Sequence, residues 1–73
     1  MSRYKKLLEI KHELKKADEE LEILLKQTQE LSERNPEDEK MQSIYHLVDM
    51  VCLRNAYTRG MIKDEIENII RSN

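Results

Sequence analysis

Apolar residues recur along the first half of the chain at the spacing of a heptad. Leu7, Leu14, Leu21 and Thr28 share one position of the repeat, and Ile10, Ala17, Leu24 and Leu31 take the position three residues on. About four heptads run without a break, and only Thr28 departs from the apolar rule. A period near 3.5 draws a narrow seam along a helix, and such a seam needs a second helix lying on it. Strong helix formers, Leu, Lys and Glu, dominate this stretch, and no Gly or Pro occurs before Pro36. Ser2 can act as the cap. The pattern predicts a first helix over about 3–33.

The stop is marked by Asn35-Pro36-Glu37-Asp38. These four read as N-cap, N1, N2 and N3 of a new helix: Asn accepts from free amides, Pro fixes φ where no donor is missed, and the acids suit the positive helix end. Pro36 also disfavours the α conformation at Asn35. The expected turn is 34–35 and the expected second helix runs over about 36–71. So short a link folds the helices back as an antiparallel hairpin. Gly60 is a candidate kink or break. Continuity is favoured because no capping residue directly precedes Met61, and because Ile62, Ile66 and Ile69 keep the phase of Ile44, Val48 and Val51.

At 100° per residue, Met41, Ile44, Val48, Val51, Ile62, Ile66 and Ile69 fall on one stripe of the second helix. The expected hairpin core is therefore Leu7, Ile10, Leu14, Ala17, Leu21, Leu24 and Leu31 from helix 1, with Ile44, Val48, Val51, Ile62, Ile66 and Ile69 from helix 2. Folding about Arg34–Asn35 sets Leu24 near Tyr45, Leu21 near Val48, Ala17 near Cys52 and Leu7 near Ile62. Asn55 falls near Leu14, either fixing alignment from within the seam or sitting half solvated at its edge.

Helix 2 carries a second apolar stripe. Met50, Leu53, Tyr57 and Met61 are spaced i, i+3, i+7 and i+11, and His46 extends them one turn toward the N-terminus. A helix in a simple hairpin needs one apolar stripe, and a surplus on a small protein usually marks an interface. Met and Tyr suit such a surface. His46, Met50, Leu53, Tyr57 and Met61 are the expected partner interface, through which two hairpins would join as a four-helix bundle.

Composition narrows the reading further. A chain of 73 residues holds one domain at most and has a small core, so it commonly relies on disulfides, metals or oligomerisation. Cys52 is the only cysteine, which excludes an intrachain disulfide and fits a reducing compartment. Charged residues make up 38%, with a formal net charge of −2. Residues 1–17 hold six bases and two acids, while residues 18–40 hold nine acids and three bases. Two hairpins packed antiparallel would set each basic end against an acidic turn.

No segment is apolar and long enough to span a bilayer, and no signal peptide is evident, so the expected location is the cytoplasm. No catalytic motif is present. Cys52 has no adjacent base, and His46 with Asp49 makes only two ligands where a structural metal site wants four. Neither cofactor nor metal is expected, and neither a small-molecule substrate nor a membrane partner. The pattern points to a non-enzymatic interaction module, an adaptor, inhibitor or co-chaperone, with a second copy or a helical protein as partner. The alternative is a dimeric nucleic-acid-binding regulator using the basic start of helix 1. That reading is the weaker, because the bases spread around the helix and the whole chain is acidic.

Overall fold

The computed structural model describes residues 2–72. Two helices, α1 (Ser2–Arg34) and α2 (Glu39–Ser72), pack lengthwise as an antiparallel hairpin. They are 33 and 34 residues long and form a rod of 56 × 15 × 12 Å. The side chain of Ser2, expected as the cap of α1, lies outside what is described.

The link is longer than the sequence suggests. Asn35 does not cap α2. It closes α1 instead, its backbone amide and its Nδ2 both donating to Leu31 O at 3.1 and 2.8 Å. Residues 35–38 then form a turn in which Asp38 N donates to Asn35 O at 3.0 Å. Asn at the first position and Pro at the second are what a type I turn prefers. The cap of α2 is Asp38, whose Oδ1 accepts from Lys40 N at 3.0 Å and Met41 N at 3.3 Å. A carboxylate there also meets the positive helix end.

Cys52 Sγ lies against Leu21 O at 3.7 Å, one helical turn from its expected neighbour Ala17. Farther along, Asn55 meets Leu14 as expected, its Nδ2 donating to Leu14 O at 3.2 Å. Thr28 bonds back to its own helix, its hydroxyl within reach of Leu24 O and Leu25 O. Gly60 causes no break. Its φ is not positive, and an added Cβ would meet nothing within 4 Å.

The helices are rotated relative to the expected seam. On α2 the residues turned to α1 are Met41, Tyr45, Val48, Cys52, Asn55, Arg59, Ile62, Ile66 and Ile69, at strictly alternating four- and three-residue steps. On α1 the matching set is Leu7, Lys11, Leu14, Asp18, Leu21, Leu25, Thr28 and Ser32. The residues four beyond Leu7, Leu14, Leu21 and Thr28 enter the seam, and of those three beyond only the small Ala17 is half-buried. Five residues expected in the core, Ile10, Leu24, Leu31, Ile44 and Val51, remain 43–52% exposed. Leu7, Leu14, Ala17, Leu21, Val48, Ile62 and Ile69 are half-buried, and Ile66 is the one buried apolar side chain among the described residues.

So thin a core leaves much surface in water. The accessible area is 6079 Å², against about 4,800 Å² for a compact protein of this mass. The radius of gyration is 16.5 Å, against about 11 Å for a globule of this length.

Candidate interaction surface

In a 3.5-residue repeat, positions three and four beyond a seam residue lie about 50° to either side of it. In an antiparallel hairpin the two helices turn equivalent flanks to the same side. Side-chain pairing agrees. Arg3 meets Glu65 at 3.3 Å on one flank, and Asp18 meets Arg59 at 2.8 Å on the other. The seam thus has a polar flank and an apolar one.

The polar flank is closed by bonds between the helices. Arg59 Nη1 donates to Asp18 Oδ2, and Asn55 Nδ2 reaches Asp18 Oδ1 at 3.4 Å as well as Leu14 O. Asn55 therefore ties the two helices in register from within the seam. Nearer the turn, Gln42 Nε2 donates to Ser32 O at 2.9 Å and Asn35 O at 3.2 Å, and Ser32 Oγ donates back to Gln42 Oε1. Ser32 is buried as a result.

The apolar flank stays open. Ile10, Leu24 and Leu31 on α1 and Ile44 and Val51 on α2 face the same side of the hairpin. A shallow groove of about 250 Å³ lies between the helices on this side, lined by Leu14 and Leu21 of α1 and by Val51, Arg54, Asn55 and Thr58 of α2. In the sequence the same residues read as core.

The second stripe lies on the outer side of α2. Met50, Leu53, Tyr57 and Met61 are 54–70% exposed, and His46 is exposed beside them. Leu47, which the spacing did not single out, is exposed between this stripe and the open flank. A shallow depression is lined by Leu53, Arg54, Tyr57, Thr58 and Met61. The outer side of α1 carries Glu9, Lys16, Lys26, Glu30 and Glu33, with Ile23 as an isolated apolar residue.

Several groups with chemical potential are tied down or dispersed. Burial pushes the Cys52 thiol above its ordinary pKa, and the nearby carboxylates of Asp18, Asp49 and Glu22 add to the shift. A thiol held protonated is a poor nucleophile. No group of three or more His, Cys, Asp or Glu able to hold a metal ion occurs among the described residues. Three of the bases at the start of α1 pair with acids: Arg3 with Glu65, Lys6 with Glu9 and Lys16 with Glu13. No described helix is long and apolar enough to cross a membrane. No family model, curated protein or solved structure matches the chain.

Proposed function

We propose that this chain is a small protein–protein interaction module, an adaptor, inhibitor or co-chaperone, that lays the outer side of α2 along an apolar helix of another protein. The observation that carries the reading is the stripe of Met50, Leu53, Tyr57 and Met61, turned away from α1 and free of any intrachain cover. Its role is binding and not catalysis. Gly60 supports the reading. It costs roughly 1 kcal/mol against Ala in a helix interior, and the hairpin gains nothing from it, because its backbone is ordinary helix and the space around it is open. It stands beside Tyr57 and Met61, where a missing side chain lets another helix approach closely. The compartment we assign is the cytoplasm, in which the single thiol of Cys52 stays reduced.

Site-specific photocrosslinking in the native host tests this. A crosslinking amino acid in place of Tyr57 should capture one protein, and one in place of Glu30 on the outer side of α1 should not. The captured protein should contact the probe through a helix. Leu53→Asp should abolish capture and leave helicity intact. Equal capture from both positions, no capture from position 57, or capture that survives Leu53→Asp would overturn the assignment.

A further inference from the structure

The open flank of the seam is a different surface from the outer stripe, and it has a different occupant. We infer that it is covered by a second copy of this chain, stacked antiparallel so that the turn of each hairpin lies over the open end of the other. The product is a four-helix bundle in which α1 packs on α1 and α2 on α2. The inference does not depend on the outer stripe binding anything.

Area is the first argument. Each hairpin exposes about 1,300 Å² more than a compact chain of its mass. A standard stable interface removes about 800 Å² from each partner. The surplus is larger than one such interface covers, and the groove lined by Leu14, Leu21, Val51, Arg54, Asn55 and Thr58 lies on the face it would cover.

Charge chooses the second copy and its direction. Residues 18–53, the turn half of the rod, hold ten acids and three bases; the remaining residues, at the open end, hold ten bases and five acids. Stacking two turn halves together would set strongly negative ends against each other. Antiparallel stacking sets each negative half on a positive one, at both ends of the bundle at once. A second copy supplies this complement automatically.

Register is the third argument. Within one hairpin Cys52 reaches Leu21 O, and Asn55 reaches both Leu14 O and Asp18 Oδ1, which sets the middle of the α1 row within about one helical turn of Val51. A twofold axis midway between Ala17 and Leu24 passes through that stretch. It pairs Ile10 with Leu31 of the second copy and Ala17 with Leu24, so the one small residue of the row faces a large one. On the α2 side it brings the two Val51 side chains together and sets Ile44 against Thr58. Both rows come into register under a single axis.

A distance measurement settles the arrangement. In a Cys52→Ala chain, Glu37→Cys at the exposed turn takes a spin label. Antiparallel copies should give a dimer whose labels stand apart by a distance approaching the 56 Å length of the rod. Turns side by side would give roughly 20 Å or less. Sedimentation equilibrium supplies the second arm. Val51→Asp should weaken dimerisation roughly thirtyfold or more, Leu53→Asp should leave it unchanged, and added salt should weaken it. A monomer at every concentration, a short label distance, or loss of the dimer through Leu53→Asp in place of Val51→Asp would overturn the inference. The labelled chain keeps both apolar surfaces intact, so its answer does not depend on how Val51→Asp folds.

Discussion

The two flanks of the hairpin seam are built from opposite materials. One is polar and closed, with Asp18, Asn55 and Arg59 bonded across the helices and Ser32 bonded to Gln42. The other is apolar and open, and Arg3 to Glu65 is the one ion pair that spans it among the described residues. An isolated hairpin would gain more by turning its apolar flank inward and leaving the polar one in water. The rotation actually adopted bonds the polar groups across the helices and leaves the apolar groups exposed. Polar bonds therefore tie the hairpin together on one flank, and the apolar area on the other is the surface proposed for association.

The contrast can be broken from either side. The largest effect is expected on the open flank. Val51→Asp or Leu24→Asp puts a charge on the face proposed for the second copy, and the helix signal should become that of a loosened monomer at micromolar concentration, readable by circular dichroism. Next is the closed flank. Asp18→Ala leaves Arg59 without its carboxylate, and the Arg59 Nε is already buried without a partner. A loss of about 1.5–3 kcal/mol is expected in urea unfolding. Changing Arg59→Leu in the same chain should restore part of it, because no unpaired charge then remains.

Smaller effects sharpen the picture. Asp38→Ala removes the carboxylate that accepts from Lys40 N and Met41 N, and about 1 kcal/mol should be lost. Asn35→Ala should cost less, since Asp38 and not Asn35 caps α2; equal losses would restore the cap suggested by the sequence. Gly60→Ala should stabilise the hairpin by about 0.8–1 kcal/mol, because the space is open. It should also weaken binding of the helical partner. A stabilised chain that binds as well as before would remove the role assigned to Gly60.

The smallest effect concerns pH. The folded state holds the Cys52 proton more tightly than the unfolded chain does. The stabilising contribution is complete below the ordinary thiol pKa and falls as pH rises through the raised one. Below that range, modification of Cys52 by a thiol reagent should be slow, and denaturant should accelerate it.

Much of the architecture is legible in the residue pattern, because helix period, helix formers and a Pro-containing break are local signals. The hairpin follows from them. Rotation about the helix axes does not. Residues three and four beyond a seam leucine are equivalent by period, and the apolar choice, Ile10, Ala17, Leu24 and Leu31, looked like core. The set that enters the seam, Lys11, Asp18, Leu25 and Ser32, is justified only by partners far along the chain, such as Arg59 for Asp18 and Gln42 for Ser32. One signal was available: on α2 the row from Met41 to Ile69 alternates four and three without a fault once Asn55 and Arg59 are admitted as members.

The turn illustrates a similar limit. Asn35 and Asp38 are both good caps, and Pro36 fits the first helical position as well as the second position of a turn. The competition is decided by the bonds that close α1 onto Asn35. The stripe of Met50, Leu53, Tyr57 and Met61 could be recognised in advance because it lies far from the seam, where a modest rotation does not change its exposure.

The central inference is that the open flank of the hairpin is covered by a second copy of this chain. Thermal unfolding of the unmodified chain, followed by helicity over a roughly thousandfold range of concentration, tests it most directly. The account predicts a melting temperature that climbs steadily with concentration, as it must when folding and association are linked. A sharp transition at one temperature throughout the range would show a self-sufficient monomer and contradict the account.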